Sequence, residues 1–347
     1  MTPSENRSGQ PLIGVVGVTY TGNMGGQVML HAVRQQILKV YPSAQIRLFS
    51  IYPEEDAKAS STPGLEIVPA RPARLVLFEL PLSIFLLMLA LLAGPGVARR
   101  LASSHIRRLM ECDIVIDLSG IAFVANRGMP LLAYNLACVV PSFVAGVPHF
   151  KLAQSLGPFG AAWLRSISRW VFGRCSAVVP RGRQSALHLQ TLGISVEPLP
   201  DVSFALTLEP KDLAQAKALV PHRLAGSRLA VVSPSRVTRR SCEEFGADYI
   251  GCLRSACNEL TRSGFAVLLV AHSVKEGNSK NNDLFEIDEL VSSLGGDERV
   301  VVVPFVENAR VLRALFSLAD IALTSRFHAT VAALAGAVPL VTIGWNY

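Results

Sequence analysis

Asp320-Ile321-Ala322-Leu323-Thr324-Ser325-Arg326-Phe327-His328-Ala329-Thr330-Val331 decides how this chain is read. An acid opens a short apolar run, a Ser-Arg-x-His group follows, and Ala329–Ala335 has the composition of a helix. A second apolar run, Val338–Gly344, closes the unit, so the pattern is strand, turn, helix, strand. In parallel α/β sheets ligands collect outside the carboxyl ends of the strands, where Ser325, Arg326 and His328 fall. A helix N-terminus there offers free N–H groups and positive dipole charge to a phosphate or carboxylate. Arg326 adds a forked cation, and His328 a group that can hold or give a proton near neutral pH. The plainer reading stands beside this one: Ser325 as a helix cap, Arg326 as a solvated cation, His328 as a satisfied, partly buried side chain.

Working outward, the same alternation fills the second half. Arg228–Ser233 reads as a strand ending in Ser233-Pro234-Ser235-Arg236, Phe265–Ala271 as a strand ending in His272-Ser273, and Val300–Val303 as a third. Helices are expected over Asp248–Ser263, Asp283–Leu294 and Asn308–Ala319. Residues 205–227, with Pro210 and Pro221, read as a connection carrying a short helix. The first half is a second series: strands at Leu12–Val18, Gln45–Ser50, Asp113–Leu118, His149–Leu156 and Ala177–Arg181, with helices between. Residues 53–74 read as a loop around a short strand at Leu65–Val68. The expected fold is α/β, two Rossmann-like domains facing across a cleft in the GT-B manner: 11–204, a linker at 205–227, and 228–347. The last domain stops just after a strand that such a domain normally covers with a further helix, and is therefore read as truncated or unusually short.

Composition narrows the function. Of 347 residues half are hydrophobic and 17% charged, and the net charge is +7. Arginines are spread along the chain rather than gathered into a basic patch with aromatics, so nucleic acid is not the expected partner. The cysteines, at 112, 138, 175, 242, 252 and 257, form no C-x-x-C pair and are read as reduced thiols of a cytoplasmic protein rather than a disulfide frame or zinc site. The first ten residues are polar and lack the apolar core of a signal peptide. The first strand leads into Gly22-Asn23-Met24-Gly25-Gly26, a turn that lets backbone approach a ligand. It is not G-x-G-x-x-G, and no acid ends the next strand, which disfavours a nicotinamide dinucleotide.

Leu80–Val97 contains no charged residue over 18 positions, with Arg71 and Arg74 before it and Arg99, Arg100, Arg107 and Arg108 after. Glu79, Pro81 and Pro95 shorten the expected clean helix to three or four turns. Two readings remain open: an interfacial or re-entrant helix at an anionic membrane, which would make the protein peripheral at its inner face, or a helix covered at a domain or subunit contact.

In order and spacing, several of these pieces together resemble the polysaccharide pyruvyl transferases over about 12–347. They are Gly22-Asn23-Met24-Gly25, Asp113–Gly120, Gln154-Ser155-Leu156-Gly157-Pro158, Arg181 with Ser185, Pro200-Asp201, Ser235-Arg236, and Ser325-Arg326-Phe327-His328-Ala329 with Gly336 and Val338-Pro339. The resemblance implies transfer of the pyruvyl group of phosphoenolpyruvate onto a saccharide, which gains a cyclic pyruvate ketal while phosphate leaves. It implies Arg236, Arg326 and His328 as the donor-binding and catalytic set, and no metal or redox cofactor. Gly22, Asn23, Gly25, Ser119, Gly120, Gln154, Arg181, Ser235 and Ser325 are the matching positions expected to line substrate. The acceptor would be lipid-linked if the 80–97 segment serves it; the oligomeric state stays open. Two positions depart from the family pattern: Gln27 stands where an acid is common, and Ile121-Ala122-Phe123 replaces a richer glycine cluster. Two alternatives are a GT-B glycosyltransferase using a nucleotide sugar, although no Glu-x7-Glu pattern is visible, and a membrane-docked, saccharide-binding homologue without catalysis.

Overall fold

The computed structural model describes residues 10–60, 62–275 and 281–344. The chain forms two compact units. The first contains the chain up to Thr21 and Met29–Ala205; the second contains Gly22–Val28 and the chain from Leu206 onward.

In the first unit β1 (Leu12–Val16), β2 (Gln45–Ser50), β3 (Leu65–Pro69), β4 (Ile114–Asp117), β5 (Ile121–Ala122), β6 (His149–Leu156) and β7 (Ala177–Pro180) form one sheet. The order is β3-β2-β1-β4-β6, with β5 and β7 both paired to β6, and every pairing is parallel. The second unit repeats the pattern with β8 (Arg228–Ser233), β9 (Phe265–Leu269), β10 (Val300–Val302), β11 (Ile321–Thr324) and β12 (Leu340–Thr342) in the order β10-β9-β8-β11-β12. Each order reverses beside its first strand, at β1/β4 and at β8/β11. Those are the topological switch points at which doubly wound sheets bind ligands.

The strands are apolar because both faces of such a sheet are covered. Val15, Leu30, Val33, Ile46 and Leu48 fill one side of the first sheet, and Phe49, Leu86, Ile106, Val115 and Val140 the other. Val232, Leu253, Val267, Leu269 and Leu290 are buried in the core of the second. The acid that opens the decisive stretch has a role in this frame. Asp320 accepts the Leu229 N–H at the foot of β8 (2.7 Å), and Asp113 accepts the Leu12 N–H at the foot of β1 (2.8 Å). Each carboxylate satisfies a backbone donor at the start of the neighbouring strand.

The structure corrects three expectations. Residues 53–74 are not only loop and strand: Pro53–Ala59 is a helix, begun by Pro53 at its first position with Glu54, Glu55 and Asp56 in its first turn. Asp56 is buried and accepts from Tyr20 N, Thr21 N and the Ser50 hydroxyl, pinning the exit from β1. The apolar helix is longer than expected, 22 residues over Pro72–Ala93. Leu75–Glu79 is a π turn in which Leu80 N–H bonds Leu75 O. Arg236–Glu244 is a helix capped by Ser235 that was not anticipated. Residues 205–227 carry a short helix, Pro210–Ala218. From Leu206 they belong to the second unit, where Arg310 bonds Asp212 on the Pro210–Ala218 helix at 2.7 Å.

Candidate functional site

At the β8/β11 switch point the turn after each strand is held by a buried tyrosine. Tyr249 accepts from Ser235 N (2.9 Å) and donates to the Ser325 hydroxyl (2.8 Å), while Thr238 donates to Ser325 O (2.8 Å). Burial pushes the Tyr249 phenol well above its usual range, so it stays a donor. The Ser235 hydroxyl also caps the Arg236–Glu244 helix through Thr238 N–H. Ser235 and Ser325 therefore fix the two turns, and each hydroxyl already has a partner.

Arg236 and Arg326 leave these turns as part-buried side chains. The centre that organises them is a residue the sequence reading passed over, Asp283, which is fully buried. Its carboxylate accepts from the backbone N–H groups of Arg236 (3.1 Å), His272 (3.3 Å) and Ser273 (2.9 Å). It also accepts from Arg326 Nε (3.1 Å) and Nη2 (2.6 Å). One carboxylate thus gathers the ends of β8, β9 and β11. Asn281 takes a further bond from Arg326 Nη2 at 2.8 Å. Arg236 pairs with Glu286, also fully buried, at 2.7 Å. Burial raises the Glu286 carboxyl, against the opposing pull of Arg236 and Arg239. Among the described residues Arg236 Nε is buried without a partner, as is Glu286 Oε2. Neither Arg236 Nη2 nor Arg326 Nη1 is engaged by the bonds that hold its guanidinium. Two guanidiniums held rigid by carboxylates, each with donors left over, can receive an anion with two charged ends.

The glycine-rich turn after β1 joins the same unit. Gly22 N–H donates to Glu307 (3.2 Å), Gly22 O accepts from the Ser273 hydroxyl (3.1 Å), and Met24 N–H reaches His272 O (3.4 Å). Asn23 is exposed and bonds Gly25 N–H at 3.0 Å. Gly25 lies against His328: a Cβ on it would stand 2.2 Å from the ring Nδ1. Gln27, where the family pattern favours an acid, is buried and bonds Ala309 N–H and Glu307 O. Gly22, Asn23, Gly25, Ser235, Arg236, Ser325, Arg326 and His328 are thus all in the second unit. A second histidine, His272, is 5% exposed, and burial, helped by His328 and Arg326, pushes it down to about 3. It is neutral at physiological pH and cannot serve as the proton donor there.

The remaining expected residues lie in the first unit, at the ends of β4, β6 and β7. Ser119 N–H bonds Asp117 (2.8 Å), and its buried hydroxyl has no hydrogen-bond partner among the described residues. Gly17, with φ of +81°, allows this approach, since a Cβ there would meet Ser119 Oγ at 2.3 Å. Gln154 donates to Asp117 O (2.9 Å). Arg181 ties Gly120 O, Ser155 and Asp201 together. Beneath them Asp117 and Lys151 form a buried ion pair, with His149 Nε2 3.7 Å from the same carboxylate and its imidazole pushed down by burial. Burial alone would raise the Asp117 carboxyl, but Lys151 and His149 together hold it well below the usual range. Among the described residues no group of three His, Cys, Asp or Glu side chains is arranged to hold a metal ion.

Two Rossmann-like parallel sheets, with charged donors at the switch point of the second, place the chain in the GT-B class. Similar solved structures share that build. A putative UDP-N-acetylglucosamine 2-epimerase from Listeria monocytogenes matches with a TM-score of 0.55 and 10% identity, over 96% of this chain and 79% of that one. A UDP-GlcNAc 2-epimerase from Neisseria meningitidis bound to UDP-GlcNAc matches at 0.54 and 12%, over 96% and 82%. At these identities the likeness concerns the fold. The chain belongs to the polysaccharide pyruvyl transferase family, whose profile matches residues 23–347, and it is a transferase.

The contact between Gly25 and His328 carries a prediction. Gly25→Ala will push the imidazole aside and lower turnover by about a hundredfold, since displacements near 1 Å cost that much in a positioned site. Circular dichroism and the unfolding midpoint will stay close to wild type, because the displaced group is a side chain at the site rather than core. Unchanged turnover in Gly25→Ala would show that the position of His328 does not matter.

Proposed function

We propose that the protein transfers the pyruvyl group of phosphoenolpyruvate to a saccharide and closes it into a ketal. The observation that carries this reading is the pair of guanidiniums at the ends of β8 and β11, locked on Asp283 and Glu286 with spare N–H donors, with His328 two residues beyond Arg326. Phosphoenolpyruvate presents a phosphate and a carboxylate to such a pair. His328 gives a proton to the methylene carbon, making C2 electrophilic. One acceptor hydroxyl adds to C2 and loses its proton. The C2–O bond to phosphate breaks, a second hydroxyl adds, and its proton leaves. The two hydroxyls become the ketal oxygens, and inorganic phosphate is released. The reading calls for no cofactor beyond the donor. The saccharide is lipid-linked if the membrane contact argued below serves it.

The test is phosphate release from phosphoenolpyruvate across a panel of saccharides, with NMR detection of a new methyl group on the acceptor. Acceptor-dependent release with that methyl signal is expected. Consumption of a nucleotide sugar, with phosphoenolpyruvate untouched, would replace this reading with glycosyl transfer.

A further inference from the structure

We infer that the first unit docks onto an anionic lipid bilayer through the outer face of the Pro72–Ala93 helix. The inner face of that helix is committed. Leu75, Leu80 and Leu86 are buried in the core, and Glu79 is fully buried, bonded to Ser103 (2.6 Å) and Arg74 (3.3 Å). The outer face is apolar throughout. Leu77, Phe78, Ile84, Phe85, Met88, Leu91 and Leu92 recur at three- and four-residue spacing, and Leu77, Leu91 and Leu92 are 76%, 84% and 86% exposed. Val97 and Leu101 extend the patch.

Three observations favour lipid over a protein partner. No exposed side chain between Leu77 and Val97 can make a hydrogen bond, whereas protein interfaces carry a polar rim and roughly one hydrogen bond per 100–200 Å². The exposed charges bracketing the patch are arginines: Arg71 and Arg74 before it, Arg100 and Arg107 after it. Arg71 pairs with Glu54 and Arg74 with Glu79, but Arg100 and Arg107 have no ion pair among the described residues. A second copy meeting this face about a two-fold axis would bring like charges together, whereas anionic headgroups complement them. The patch also runs, through Leu77, into an apolar groove of about 640 Å³ lined by Val76, Pro130, Leu131 and Tyr134, which fits part of an acyl chain.

The helix is long and apolar enough to cross a membrane, yet only 28% of its apolar window is buried in the protein. A crossing is incompatible with the sheet. The helix connects β3 to β4, which lie in one parallel sheet, so a single pass would put them on opposite sides of the bilayer. It therefore lies in the membrane surface, its outer side chains among the acyl chains and its arginines among headgroups.

The experiment is flotation of the full chain with vesicles of phosphatidylcholine alone or mixed with phosphatidylglycerol, alongside light scattering of the protein without lipid. Binding should need phosphatidylglycerol and weaken as salt rises. Phe85→Ser with Leu92→Ser should abolish it. Arg100→Glu with Arg107→Glu should lower it by about tenfold or more. All four positions are exposed, so the fold is retained, and the lipid dependence of the wild-type chain tests the idea without any variant. Absence of binding to either vesicle overturns the inference. So does a dimer that Phe85→Ser with Leu92→Ser converts to monomer, because a second copy would then cover the face. None of these readouts depends on turnover of phosphoenolpyruvate.

Discussion

Asp283→Ala will be among the most damaging single substitutions at this site, in both stability and donor binding. The carboxylate is fully buried and answers three backbone N–H groups and the Arg326 guanidinium. Its loss leaves those donors unmatched and a part-buried cation without its partner. Removing one member of a buried pair costs about 3–5 kcal/mol. A urea titration will show a lower midpoint with a similar slope. Because Asp283 joins the turn after β8 to the side chain from β11, the two arginines lose their common reference, and the Kd for phosphoenolpyruvate will rise. Asp283→Asn separates the effects: it keeps one acceptor for the backbone donors but not the charge facing Arg326, so stability recovers more than donor affinity. If both variants bind phosphoenolpyruvate as wild type does, the arginine pair is not the donor site.

His328→Gln is the second. Glutamine has similar reach and can still hydrogen-bond, but cannot donate a proton to carbon at neutral pH. A positioned general acid contributes about 10²–10⁴-fold, so kcat will fall by that factor while KM for phosphoenolpyruvate changes little. His272 offers no substitute, because its proton is already lost well below neutrality. The unfolding midpoint of the variant will stay near wild type. A kcat within twofold of wild type would remove His328 from the proton transfer and leave it a positioning contact against Gly25.

Much of the frame was legible in the sequence because the signals are local. The limits of β2 and β8 match their apolar runs, and the Ser-Arg-x-His group falls between β11 and its helix as the periodicity implies. The Pro53–Ala59 helix was obscured by proline and charge that also suit a loop. Pro81 reads as a breaker because nothing in the sequence announces the π turn that ends two residues earlier, at Glu79. Of the site, the arginines and His328 were named, but Asp283, Glu286 and Tyr249 were not. Asp283 stands directly before a helix, where an aspartate ordinarily caps the first turn. Its side chain makes no such cap and turns instead to partners up to 47 residues away. No local pattern distinguishes those two uses. Arg181 shows the converse. Its motif position reads as substrate-facing, and its bonds to Gly120, Ser155 and Asp201 show where the guanidinium goes.

Gly22–Val28 is counted with the second unit although the chain on either side of it is counted with the first. Cutting the polypeptide after Ala205 would therefore not yield two self-sufficient halves. The carboxyl-terminal fragment would lose the peptide group that bonds His272 O and the glycine beside His328. A short synthetic peptide carrying the glycine turn is the natural complement to supply in trans, and any attempt to exchange lobes among relatives has to carry those seven residues with the later lobe.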